Sequence, residues 1–510
     1  MEKRFILFIA LSVFVILLWS SLSPKQYHIE NKEVTSTSPQ PATQTLPTLQ
    51  LSKTNIPEHA LAEAPPSQLL DFSQGKFTVT FSEPLAAIKE ITFKEHQGDR
   101  FGLRQGFLIS DPELKFRKAS SSPDTIVFEH RDVQKAVTKA FVFSNSNYTI
   151  DLEIKIQNLS PSEIKVNLPL VLGDFDFSRQ NQNAAYQSIT VSTPEKVLHT
   201  NAQKNQDFGA VNFMGLRSRY FCLVIQPENN RYTGQARKLN GELEAILTGP
   251  EILLKPKEQI GQKFSIYLGP QDLKLINKIN PSWGAIINYG TFDFISQMLL
   301  QLLELLHRIV RNWGWAITLL SLIVFILLLP LTIKQFRSMK EMQVLQPKIE
   351  ALREMYKDNQ QKLHKETMQL YREHKVNPFG SCLVPILQIP VFIALYQALM
   401  RSIYLKGESF FWIKDLSLPD QLFTLPSALP VIGKEINILP ILMAIAMFLQ
   451  QRLSLAGASG TAKEQQKLMS ILMPVLFGAF FYHMPAGLVL YWFVNTGLML
   501  IYQLKANQGK

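Results

Sequence analysis

"WGWAITLLSLIVFILLLPLTI", residues 313–333, contains no charged side chain. About 20 apolar residues are enough to cross the hydrocarbon of a bilayer as a helix. Trp313 and Trp315 stand at its start, where indole rings favour the membrane interface. The segment that follows, Lys334 to Val376, holds ten Lys or Arg against six Asp or Glu. A short loop with that positive excess stays cytoplasmic. The span therefore runs inward, and what precedes it lies outside the cytoplasm.

Charge orients the other spans in the same way. "VNPFGSCLVPILQIPVFIALYQALM", 376–400, returns outward, although Pro385 and Pro390 are helix-breakers and Gln388 is a lone amide between them. Residues 401–435 carry four positive and four negative side chains, as an outer loop allows. "INILPILMAIAMFLQQ" leads back in, and "RLSLAGASGTAKEQQK", with three positives and one acid, is cytoplasmic. "LMSILMPVLFGAFFYH" and "GLVLYWFVNTGLMLIYQL" are the last two spans, joined by "MPA", and the tail 506–510 ends inside. At the other end, "MEKRFILFIALSVFVILLWSSLS" (1–23) reads as a retained anchor rather than a cleaved leader, since no small-x-small site forms before Pro24. Lys3 and Arg4 hold its N-terminus in the cytoplasm. Six spans result.

Between the first two spans the chain changes character twice. Residues 24–68 are rich in Ser, Thr, Pro and Gln, the composition of a flexible tether. Residues 69–280 alternate apolar and polar over short runs such as "KFTVTFS" and "NYTIDLEIKIQNLS", broken by turn residues. This predicts a many-stranded antiparallel sandwich outside the cytoplasm. Its histidines, His96, His130 and His199, show no carboxylate pairing in the sequence. Within 289–312, Phe292, Ile295, Leu299, Leu302, Leu306 and Ile309 recur at helical spacing, an amphipathic helix lying in the interface or packed on the sandwich. The basic segment 334–376 predicts a helical hairpin: Met342, Leu345, Ile349, Leu352 and Tyr356 on one helix, "KDNQ" at the turn, then Leu363, Met368, Leu370 and Tyr371.

The 510-residue chain has a net charge of +11, which the topology signals absorb without invoking a specific nucleic-acid sequence. Two distant cysteines, Cys222 and Cys382, exclude a disulfide framework. Zinc-ligand spacing, a phosphate-binding glycine loop and a nucleophile elbow are missing from the sequence.

Four stretches carry a resemblance: "FISQMLLQLLELLHRIVRNWGWAI", "PLTIKQFRSMKEMQVLQPKI", "YREHKVNPFGSCLVPILQIPVFIALY" and "MPAGLVLYWFVNTGLMLI". Together they cover most of 280–505, and the chain resembles the YidC family of membrane protein insertases in its Gram-negative form. The resemblance implies a multi-span α-helical inner-membrane protein with a large periplasmic all-β supersandwich and a five-span insertase core over 313–505. It implies no catalysis and no cofactor. The implied partners are nascent membrane proteins, the ribosome, the Sec translocon and the phospholipid bilayer.

An insertase must ease polar flanks across hydrocarbon, where an unsatisfied polar group costs several kcal/mol. Thr318, Ser321, Gln388, Asn495 and Thr496 are the polar residues that could line a wet groove; the alternative is glue between packed helices. Carbonyls freed by Pro385 and Pro390 would find water there. The resemblance adds Phe392, Tyr491 and Trp492 as contacts of the emerging segment, against simple packing. The spans 436–451 and 468–483 show only about 15 strongly apolar residues each, short enough to thin the surrounding lipid. Many relatives carry an arginine five residues before the Pro of "PLT"; here that position is Phe325, and no Lys or Arg occurs from Asn312 to Ile333. A transporter or channel would show a doubled unit or mid-membrane ionisable residues, and an envelope enzyme acting on sugars would show convergent carboxylates. The sequence displays neither.

Overall fold

The computed structural model describes residues 68–510 apart from 97–98, 168, 177–185, 202–203, 230, 240–241, 358, 375, 377–382, 430–432, 455–459 and 509–510. The expected anchor and the tether up to residue 67 lie outside the described residues. The chain forms two compact units, Met1–Ile287 and Asn288–Lys510.

The first unit is a β-sandwich. Its largest sheet has nine strands, ordered Val197–Thr200, Ser188–Ser192, Phe213–Arg217, Phe221–Pro227, Gln259–Pro270, Thr149–Asn158, Lys135–Phe143, Thr125–Arg131 and Arg117–Ser121. In Thr149–Asn158 every second residue is buried, so Ile150, Leu152, Ile154 and Ile156 share the core face, as the period of two requires. Two smaller sheets pack on it. A four-stranded meander, Leu69–Gln74 to Asp99–Gly106, meets it through aromatic rings: Phe81 lies 5.1 Å from Phe141, and Phe93 stacks on Phe221 at 4.1 Å. A five-stranded sheet that includes Leu170–Asp176 and Thr233–Leu239 adds Tyr232, whose ring lies 5.3 Å from Phe264. The two smaller sheets join where Ala87, Leu108, Val171 and Ile246 cluster. Gly173 is needed there: its φ is +144° at a strand bulge, and a Cβ would stand 2.9 Å from Leu103.

His130 does have a carboxylate partner, contrary to the expectation from sequence: its Nε2 lies 3.1 Å from Asp132 Oδ2. Asp132 Oδ1 also accepts the Gln134 and Lys135 amides. The pair anchors a turn between strands, which explains why two residues two apart gave no signal of it.

One polar side chain lies deep in this unit. Lys139, fully buried, donates from Nζ to the carbonyls of Ala86 (2.6 Å) and Phe107. Both acceptors have left-handed backbone, φ +46° and +62°, a conformation costing a non-glycine residue about 1–2 kcal/mol. One lysine thus ties down two tight reversals.

A short helix, α1 (Leu273–Ile279), closes the first unit. The second unit contains α2 (Asp293–Val310), α3 (Trp313–Met355), α4 (Gln360–Glu373), α5 (Leu383–Arg401), α6 (Ile438–Ser454), α7 (Gly460–Phe481) and α8 (Ala486–Gln508). The expected boundary at residue 334 is absent: α3 runs unbroken for 43 residues through Pro330 and Pro347. Its second half pairs with α4 as a hairpin, with Leu345, Ile349 and Val376 buried against Met342, Leu370 and Tyr371. Nor do the prolines of α5 break it. Pro385 stands in the first turn, where a helix has no use for the missing N–H, and Pro390 is carried inside.

Burial sets the charge state of Lys139, pushing its pKa from 10.5 down to about 7. The unfolded chain then binds one more proton than the folded one between about pH 7 and 10.5, so this site adds stability as pH rises, by about 1.4 kcal/mol per unit at most. Lys139→Met should remove that slope. Thermal unfolding of the β-sheet circular dichroism signal from pH 6 to 10 should show the wild type gaining on the variant; parallel curves would refute it.

Candidate functional site

α3 and α8 lie side by side and parallel. Ser321 Oγ comes within 3.5 Å of the Tyr491 carbonyl, the Phe336 and Tyr502 rings are 5.4 Å apart, and Lys340 Nζ donates to the Ala506 carbonyl at 3.2 Å. The two chains advance together. Phe325, one turn after Ser321, is therefore level with Asn495, one turn after Tyr491.

α5 runs the other way. The Phe392 and Trp492 rings meet at 5.0 Å, nearly edge to face. One turn toward the hairpin from that contact stands Gln388 on α5, and on α8 stand Asn495 and Thr496. About four residues at 1.5 Å each separate the aromatic level from the amide level. The register thus places Gln388, Asn495, Thr496 and Phe325 in one layer. Gln388, Phe325 and Asn495 are half-buried, and Thr496 is buried.

The polar residues of α3 divide. Thr318 bonds back to the Gly314 carbonyl at 2.9 Å and Ser321 to Ile317 at 2.8 Å, both satisfying their hydroxyls within the helix. Tyr491 differs. Its hydroxyl is buried and has no hydrogen-bond partner among the described residues.

Sequence reading missed half of the aromatic cluster. Phe477 and Phe481 on α7 both face Trp492, at 6.0 and 5.6 Å, and Phe481 reaches Phe392 at 5.9 Å. Their spacing of four residues was the available signal, since it puts both rings on one face of a helix.

α2 braces α3 and α5. Ser296, wholly buried, donates to the Ala394 carbonyl at 2.9 Å, and His307 stacks on Trp313 at 4.0 Å. The buried stripe is Ser296, Leu299, Leu300, Leu303 and Leu306. Ile309, expected in it, is exposed, as are Phe294, Met298 and Leu305. Phe292, Ile295 and Leu302 are half-buried. The helix is apolar on two faces, one for the bundle and one for its surroundings, which a single stripe could not describe.

The end of the bundle away from the hairpin is tied by loop 402–437. Asp420, 2% exposed, accepts the Ile438 and Leu439 amides at 2.9 Å each and Trp412 Nε1 at 3.1 Å. It thus caps α6 from 18 positions upstream, beyond any local capping pattern. Asn437 donates to the Tyr482 carbonyl at 2.8 Å, and the Ala486 and Gly487 amides at the head of α8 donate to Leu418 and Leu416. The Phe410 ring fills the space beside Gly314, where a Cβ would collide with it.

Two family models match. The model described as the YidC periplasmic domain matches residues 112–302, and that of the 60Kd inner membrane protein matches residues 305–510. The membrane protein insertase YidC of Syntrophobacter fumaroxidans is 32% identical over 478 residues, spanning 91% of this chain and 83% of that protein. The chain belongs to the YidC family. Its Pelobacter propionicus relative, also a membrane protein insertase YidC, is 29% identical over 555 residues, 100% of this chain and 99% of that one. Among solved structures, YidC from Thermotoga maritima matches 85% of this chain and 99% of its own at 15% identity, with a TM-score of 0.30. As a YidC family member the chain is an inner-membrane protein, and its β unit is the periplasmic domain of that family.

The Asp420 cap makes a direct test of the tied end. Asp420→Ala leaves two helix amides and an indole N–H without their acceptor, at about 1–3 kcal/mol. The full chain in detergent should unfold at a lower temperature, with the loss centred on α6. An unchanged midpoint would show that the cap is dispensable.

Proposed function

We propose that this chain moves nascent membrane protein segments from the cytoplasm into the inner membrane by giving their polar flanks a wet, shortened path. The observation that supports this most directly is the Tyr491 hydroxyl, buried between apolar helices with no partner among the described residues. A buried polar group left unpaired costs about 1–3 kcal/mol, and more in hydrocarbon. Water or a passing polar flank supplies what it lacks. The backbone carbonyl of the same residue lies 3.5 Å from Ser321 Oγ. One turn nearer the hairpin lies the layer of Gln388, Asn495 and Thr496, with Phe392, Trp492, Phe477 and Phe481 as an apolar wall for the segment leaving into lipid.

Helix length supports the second half of the proposal. The apolar parts of α6 and α7, Ile438–Leu453 and Leu468–Phe481, span about 24 and 21 Å at 1.5 Å per residue, against about 30 Å of hydrocarbon. Lipid beside them thins, and a flank has less to cross. By contrast Trp313–Met355 and Ala486–Ala506 are long and apolar enough to cross a bilayer.

In this reading both termini are cytoplasmic, the spans number six, and the hairpin of α3 and α4 receives clients from the ribosome, alone or beside the Sec translocon. A transporter, channel or sugar enzyme is not favoured. No doubled unit or convergent carboxylate pair in the sequence supports one.

Reconstitution tests it. Liposomes containing the full chain should protect a short two-span client from protease, without solute leakage. Deleting 341–373 removes the receiving hairpin and should abolish that protection while the remaining helices fold; full protection would refute the hairpin's role.

Phe325 decides which clients pass. At the level of Gln388 and Asn495 it offers no charge, so acidic flanks gain no attraction. Phe325→Arg should raise insertion of a client with an acidic translocated flank and leave its neutral twin unchanged. An equal gain for both would mean that Phe325 limits the groove in general, and no gain for either that charge at this level has no part in selection.

A further inference from the structure

One turn past Pro330, α3 leaves its apolar stretch and becomes basic, with Lys334, Arg337 and Lys340 within seven residues. At this level a cavity of about 310 Å³ lies between α3, the end of α6 at Leu453 and the end of α8. It is no part of the groove: none of the groove residues lines it.

The lining is chemically mixed: Ile333, Phe336 and Leu453 are apolar, and Arg337, Lys340 and Glu341 are charged. Gln503, also in the lining, is 5% exposed, and its Oε1 has no partner among the described residues. An unpaired amide oxygen at this depth calls for a donor that the chain does not supply. Lys340 already reaches the carbonyl of Ala506, while Arg337, also in the lining, is exposed.

We propose that this cavity binds the head group of a phospholipid with a primary ammonium, of the ethanolamine type. Arg337 and Lys340 face the phosphate, and guanidinium and ammonium are the side chains suited to it. The ammonium's N–H groups meet Gln503 Oε1 and the Glu341 carboxylate. The acyl chains leave past Ile333 and Leu453. The carboxylate decides the head group, because a glycerol head would bring a net negative charge beside it, and a choline head has no N–H to donate.

The test uses the full chain in nanodiscs of phosphatidylethanolamine, phosphatidylglycerol or phosphatidylcholine, followed by native mass spectrometry of retained lipid after transfer to detergent. The ethanolamine lipid should stay bound about tenfold more than the choline lipid, equivalent to about 1.4 kcal/mol, and more than the glycerol lipid. Arg337→Gln and Gln503→Leu should each lose that excess. Arg308→Gln, on an exposed position of α2, should keep it. Arg337 is exposed, so its variant folds even where the Gln503 change disturbs packing. Equal retention of ethanolamine and choline lipids, a preference for the glycerol lipid, or full retention by Arg337→Gln would each overturn the proposal. Displacement by millimolar inorganic phosphate would also overturn it, by showing a phosphate site without a lipid.

Discussion

A polar atom between helices that face hydrocarbon must find a partner, because water is not there to take its place. The helical unit meets this constraint in three ways. Thr318 and Ser321 fold their hydroxyls back onto their own helix. Ser296 and Asn437 reach across to a neighbour's carbonyl, and so fix α2 on α5 and α6 on α7. Tyr491 does neither. The first two solutions leave no hydroxyl or amide open, and the third leaves a buried one, which the proposed reading assigns to water or a guest.

The same constraint separates the two units. In the sandwich, Lys139 donates hydrogen bonds to two carbonyls and holds two strained reversals, while Arg217 donates to Ser188 Oγ and the Ile286 carbonyl. These groups are buried to pin the backbone. An insertase core pinned in that manner throughout would have no place for a client.

What the sequence made readable followed from period and charge. Alternation marked the strands, and helical spacing marked the hairpin whose Leu345 and Ile349 do pack with Leu370 and Tyr371. What it hid depended on distance. Asp420 caps a helix that begins 18 positions later, and Phe477 joins Trp492 only once α7 and α8 are packed. Of the groove residues, the polar ones stand out in the sequence because lipid disfavours them, whereas Phe477 and Phe481 look like any apolar side chain in a span. The prolines misled for a different reason: a breaker's effect depends on its place in the turn, and Pro385 sits where no N–H is needed.

Those prolines bear on the proposed groove. Pro330 and Pro347 in α3, Pro390 in α5 and Pro474 in α7 all lie inside continuous helices. Each removes one N–H and leaves the carbonyl four residues earlier, such as that of Ile386, without its helical donor. In a dry bundle of full-length spans this would be a plain loss of stability. Here α6 and α7 have apolar runs too short for an ordinary bilayer, and polar side chains gather at one level of α5 and α8. In the proposed reading, thin lipid and a wet interior lower the cost of an unpaired carbonyl, so the features agree with one another: a bundle that tolerates its own exposed polar groups is one that can tolerate those of a client.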